Sequence, residues 1–319
     1  MSSDTNHQDL EDEISHLEAK LKEARSKLKE KEHHKDGDEA GVPATLGYTD
    51  QAPLIPHALL LLSDSALPLG SFAFSSGLES YLAHKRHFPP STPSTSSTPS
   101  TTQSFYAFLA LSLLSISSST IPYILASYRH PEDIARWDND YDASAVLCTV
   151  ARRASVAQGR ALVRVWERSL RASWQGTRAD DTRDGKERSQ EELAVQALER
   201  FSTSLKAPAS EYQEGFAPNG HLAPLWSLVC LSLSIPLQSV AYVFLFNHTR
   251  NILSAAVRAG VMGPYQAQGV LGSGWLQESI WSGVKENWNV SVMDAGQAVP
   301  VLDLWSGRHE CLYSRIFNS

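Results

Sequence analysis

From residue 56 onward the apolar positions recur at spacings of three and four or merge into unbroken apolar runs, and no segment alternates apolar and polar residues between hairpin turns. This pattern predicts helices near 105–128, 132–139, 142–171, 190–205, 222–233, 236–260 and 264–284, and so an all-α fold, a single helical-bundle domain. Ahead of it, Leu10, Ile14, Leu17, Leu21, Ala24 and Leu28 repeat at alternating steps of four and three with Glu and Lys between them. Such a seam pairs with another helix over about three heptads. The alternative is a solitary helix laced by salt bridges, marginal at this length. His33 and His34, adjacent in a charged stretch, read as solvated residues and not as metal ligands.

The expected organisation is a charged, coiled-coil-like helix and linker at 1–48, then one helical domain at 49–319. Three surface insertions interrupt the domain. Residues 89–104 hold eleven Ser or Thr and four Pro, too little apolar surface to pack. Residues 174–192 are charged, and 206–220 are similar in character. A C-terminal tail near 300–319 ends the chain.

No Asp, Glu, Lys or Arg occurs between Arg86 and Arg129 or between Glu214 and Arg250, so hydropathy alone would allow two membrane spans. The six serines and Pro122 of "FYAFLALSLLSISSSTIPYILASY", and Pro224, Pro236 and Gln238 in the second stretch, favour central helices of a water-soluble bundle. A net charge of −7 in 319 residues offers no global attraction to nucleic acid or anionic lipid. Cys148, Cys230 and Cys311 form no CxxC pair, a usage that suits a reducing cytoplasm, and the first residues carry no apolar signal-peptide core.

Candidate chemistry is sparse. There is no phosphate loop, no HExxH and no GxSxG elbow, and "GVLGSGW" follows a helix, which makes it a weak nucleotide fingerprint. His84 and His87 lack a third ligand and read as a helix C-terminal pair. In the 142–171 helix, Leu147, Ala154, Ala161, Leu162, Val165 and Trp166 share one side, and Arg153, Arg160, Arg164, Arg168 and Arg171 form a stripe on another. Such a stripe is either a solvated face or a dock for an acidic protein partner, since guanidinium pairs bidentately with carboxylate. In "LPLGSFAFSSGLES", Ser76 and Glu79 have capping-box spacing, Pro68 is placed to end the preceding helix, and Gly70 and Gly77 permit tight backbone geometry.

The longer string that contains this stretch, "LLLLSDSALPLGSFAFSSGLESYL", also resembles the N-terminal signature of the UreF family of urease accessory proteins, "L.D..LP.GGF.HS.GLE", through Asp64, Leu67, Pro68, Gly70, Phe72, Ser75, Gly77, Leu78 and Glu79. Arg153, Ser155, Gln158, Gly159 and Arg160 match the family's central segment, Gly263 and Gln266 its late helix pair, and "LDLWSGRHECLYSRIFNS" the tail of eukaryotic members. Two positions depart: Ser71 replaces the second glycine, tolerable at negative φ, and Phe74 replaces a frequent histidine, so no metal role carries over there.

The resemblance implies a cytoplasmic, non-catalytic accessory protein that forms a homodimer, binds UreD (UreH in some organisms) and recruits the GTPase UreG to apo-urease. Nickel is handled by the complex, with no cofactor stably bound and no nucleic acid or membrane partner. The expected partner-binding residues are Asp64, Pro68, Gly70, Phe72, Ser75, Gly77, Leu78 and Glu79 of the signature, Arg153 and Arg160, Gly263 and Gln266, and His309, Leu312, Tyr313, Arg315 and Phe317 of the tail, together with Arg164 from the arginine stripe. The apolar chain end either tucks onto its own domain or docks on the UreD-type partner. Two rivals to the scaffold role stay open: an arginine such as Arg153 or Arg160 entering the GTPase site, and a helical enzyme with an unrecognised site.

Overall fold

The computed structural model describes residues 57–87, 101–144, 148–172, 189–208 and 217–318. The heptad segment, most of each insertion, and Leu147 lie outside the described residues. Among the described residues the chain forms eleven α-helices and no strand. They are α1 (His57–Leu62), α2 (Leu78–His87), α3 (Thr101–Arg129), α4 (Ile134–Ser144), α5 (Thr149–Val165), α6 (Gln190–Lys206), α7 (Leu222–Ser232), α8 (Leu237–Arg258), α9 (Pro264–Leu271), α10 (Gly274–Glu286) and α11 (Pro300–Arg308).

The bundle is organised around α7, in which ten of eleven residues are buried. A helix apolar on every side must be surrounded, and α3, α5 and α6 make its most extensive contacts. Trp226, Leu228, Val229 and Leu231 of α7 thereby form the main core with Ile121 and Ile124 of α3, Leu162 of α5, Trp166 just beyond it, and Leu198 and Phe201 of α6. A second core joins Leu78 and Tyr81 of α2, Phe105 and Phe108 of α3, Ile252 and Leu253 of α8, Leu302 of α11 and Phe317 near the chain end.

Of the two uncharged stretches, α3 is long and apolar enough to cross a membrane, and 72% of that window is buried inside the protein. Its serines are accommodated because their hydroxyls donate back to carbonyls four residues earlier, Ser117 to Leu113 at 2.7 Å and Ser119 to Ser115 at 2.8 Å. The second stretch breaks into α7 and α8 at Ser234, whose φ is 58°, and Pro236.

Several element boundaries differ from the sequence reading. The 264–284 segment is two helices, because Gly272 ends α9 and the Ser273 hydroxyl accepts the Leu276 N–H to cap α10. The 142–171 segment divides between α4 and α5, and α5 continues into a π-helical turn at Trp166–Leu170. A complete capping box at Ser189 and Glu192 starts α6 at Gln190, where the sequence places it, so only the end of the 174–192 insertion is shortened. Similarly, Thr101–Ser104 belong to the first turn of α3. Pro68 does not terminate α1, which ends at Leu62 and is followed by a turn in which Asp64 Oδ1 accepts the Ala66 N–H at 2.9 Å. Ser76 is not the cap of α2 either. It lies at φ 52°, while the neighbouring Ser75 hydroxyl accepts the Glu79 N–H at 3.4 Å and the Glu79 carboxylate turns away to the chain end.

Candidate partner-docking site

The signature stretch forms one strapped turn. Gly70 at φ 72° and Gly77 at φ 84° occupy the left-handed region that disfavours side chains, and between them Ser71–Ala73 make a short 3₁₀ turn. Ser71 is helical, so losing the second glycine costs the turn nothing. Arg250 of α8 donates to the Ser63 carbonyl and Asn247 to the Leu62 carbonyl at 3.4 Å, which ties the segment entering the turn to α8. Burial pulls the Arg250 guanidinium below its usual range, and the facing Asp64 carboxylate partly restores it. Asp64 and Pro68 are exposed, Phe72 is 66% exposed, and Ser75, Gly77 and Leu78 are buried.

The chain end closes onto this turn. Both Glu79 oxygens are used: Oε1 accepts the Ile316 N–H at 2.6 Å, and Oε2 accepts the Phe317 N–H at 3.2 Å and meets His309 Nε2 at 3.0 Å. Asn318 N–H donates to the Ala73 carbonyl at 2.7 Å. Arg153 donates to Glu310 at 2.6 Å and to the Asn318 carbonyl at 3.3 Å. Hydrogen bonds from Arg153, opposed by desolvation and joined by Arg315, hold the Glu310 carboxyl below its usual range. Phe317 is buried with the Arg258 guanidinium 4.4 Å above its ring, and His309 is fully buried. Leu312 is half-buried, whereas Tyr313, Arg315 and Ile316 are exposed. The tail residues thus divide: His309 and Phe317 face inward, and Tyr313 and Ile316 join Phe72 on the outside.

Beneath the turn lies a cavity of about 280 Å³, walled by Phe74, by Ser115 and Ser119 of α3, by His248 of α8, and by Gln297 and Asp303. His248 meets the Ser112 hydroxyl at 2.8 Å, and burial pushes its imidazole down to about 4, keeping it neutral. Burial pushes the Asp303 carboxyl up, partly offset by the Gln297 amide. Among the described residues, no group of three or more His, Cys, Asp and Glu side chains could hold a metal.

The central motif belongs to the scaffold. Asp138 of α4, fully buried, accepts the backbone N–H groups of Asn219, Gly220 and His221 at 2.6–3.1 Å. Arg160 donates to the Asn219 carbonyl at 2.9 Å, Arg152 reaches the Asn219 side chain at 2.6 Å, and Ser155 meets His221 at 3.0 Å. Residues 219–221 are therefore clamped just ahead of α7. Of the arginine stripe, Arg153, Arg160 and Arg171 have partners within the chain, the last in Glu199, while Arg164 and Arg168 are exposed. Gly263 and Gln266 stand exposed at the start of α9. Sequence reasoning missed Asp138, Arg250 and Arg258, whose partners lie from 59 to 187 positions away and carry no local signal.

The UreF family model matches residues 100–273. A Schizosaccharomyces pombe protein named as an uncharacterized urease accessory protein UreF-like is 32% identical over 82% of this chain and 97% of its own length. Urease accessory protein 6 of Cryptococcus neoformans is 25% identical over 82% of this chain and 96% of its own. Urease accessory protein F of Arabidopsis thaliana is 27% identical over 81% of this chain and 90% of its own.

Proposed function

The chain belongs to the UreF family of urease accessory proteins, and we propose that its part in urease maturation is that of a cytoplasmic, non-catalytic scaffold. In this reading it binds a UreD/UreH-type protein and brings the GTPase UreG to apo-urease as a homodimer, with nickel as the cargo of the complex. The observation that carries the reading is the union of signature turn and chain end. Two segments more than 230 positions apart are joined through Glu79, and Phe72 of the turn and Tyr313 and Ile316 of the chain end stand exposed at 66%, 107% and 63%. Exposed aromatic side chains are the residue type on which protein interfaces concentrate their binding energy.

The arginine-finger reading is the weaker one, because Arg153 holds the tail and Arg160 holds the 219–221 turn. The test is co-purification of the full chain with the UreD-type and UreG-type proteins, for the natural sequence and for Phe72→Ser combined with Tyr313→Ser. The double variant should retain its unfolding midpoint and lose the UreD-type partner. Undiminished capture by the variant, or no capture by the natural chain, overturns the proposal.

A further inference from the structure

Residues 309–318 are bound as a peptide ligand is bound. One aromatic side chain, Phe317, enters an apolar pocket under Arg258. The flanking backbone is read by hydrogen bonds: successive N–H groups of Ile316 and Phe317 on one carboxylate, then the Asn318 N–H on Ala73 and its carbonyl on Arg153. A charged group, Glu310, is caught at the other end by Arg153. Between these anchors Cys311, Tyr313, Ser314, Arg315 and Ile316 are exposed and add little apolar burial. A segment with few apolar contacts opens at lower free energy than the core it lies on.

We propose that the groove between the signature turn, the start of α2 and Arg153 is a peptide-recognition groove, and that the chain's own C-terminal segment occupies it as a reversible latch. The groove selects an extended segment with a Phe-type anchor whose own backbone N–H and that of the residue before it are free to meet Glu79. Glu79 is the recognition residue, because it is the acceptor for both N–H groups and also receives His309. The proposal stands on this geometry and not on the urease reading, so either can fail alone.

The experiment uses the full-length chain and a fluorescent peptide of residues 306–319, read by anisotropy. In the natural chain the cis tail competes, and the apparent affinity falls by the closed fraction. Phe317→Ala in the chain frees the groove, so the peptide should bind that variant about tenfold or more tightly than the natural chain. A peptide carrying Phe317→Ala, or a chain combining Phe317→Ala with Glu79→Gln, should lose that binding. Equal binding to both chains, or none to a Phe317→Ala chain that still unfolds cooperatively, overturns the latch. If that variant does not fold, hydrogen exchange of the natural chain decides. Ile316 and Phe317 amides exchanging ahead of global unfolding support the latch, and exchange only with global unfolding overturns it.

Discussion

Gly159→Ala tests how closely α5 and α7 are fitted. Gly159 is buried mid-helix, and a Cβ there would lie 2.3 Å from the Gly220 carbonyl oxygen and 2.6 Å from both the His221 carbonyl carbon and the Leu222 nitrogen. All three are backbone atoms of a turn pinned by Asp138, with Gly220 at φ 88°, so no side chain can swing aside. Reaching ordinary contact would push α5 back by about 1 Å. The Ser155–His221 bond at 3.0 Å and the Arg160–Asn219 bond at 2.9 Å would then stretch beyond hydrogen-bond range.

Helix propensity favours Ala over Gly by about 1 kcal/mol. Against that stand overpacking, about 1–3 kcal/mol, and two lost hydrogen bonds at about 1 kcal/mol each. The clash wins, with a net loss of about 2–4 kcal/mol, centred near 3. For a domain of this size that lowers the unfolding midpoint by about 6–12 °C. Circular dichroism at the helical minimum, scanned with temperature on the full chain, measures it. A midpoint within about 2 °C of the natural chain would refute the claim that the turn cannot yield.

Gly269→Ala is the converse case. It sits inside α9 with nothing within 4 Å of its Cβ position, so it should stabilise by about 0.5–1 kcal/mol in the same scan. The His248 imidazole is pushed from its usual 6.5 down to about 4, so the unfolded chain takes up a proton that the folded chain refuses. Stability should therefore fall as pH drops from about 6.5 to about 4, and urea midpoints across that window should show a shallower slope for His248→Gln. Desolvation would raise the Asp142 carboxyl, but Arg152 and His221 outweigh it and hold it below its usual range. Its contribution is present above the unfolded carboxylate range and lost as pH falls through the lower folded value. Asp142→Asn should accordingly cost about 1–3 kcal/mol at pH 7, with the gap closing in acid below about pH 4. A gap that persists there assigns the effect to packing.

The all-α class and the approximate span of most helices were readable because each depends on neighbours three and four positions away. The two glycines of the signature turn were readable for a similar reason, since positive φ is a local demand. Local reasoning failed where two local solutions competed. Ser76 has capping-box spacing with Glu79, but the Glu79 carboxylate finds three donors in the chain end. Residues 264–284 are periodic throughout, yet Gly272 and Ser273 supply a stop and a start.

What the sequence by itself determined is the set of helices, the central place of the two uncharged stretches, and the motifs that tie the chain to its family. What only the tertiary structure decided is the work those motif residues do. Arg160, Ser155 and Gly159 look alike on a helical wheel whether they face a partner or a neighbouring helix. The 219–221 turn brought against them by Asp138 makes them a clamp. Glu79 and the chain end are joined through contacts spanning more than 230 positions, because carboxylate and amide pair wherever folding brings them within reach. Periodicity along the chain carries no record of that separation.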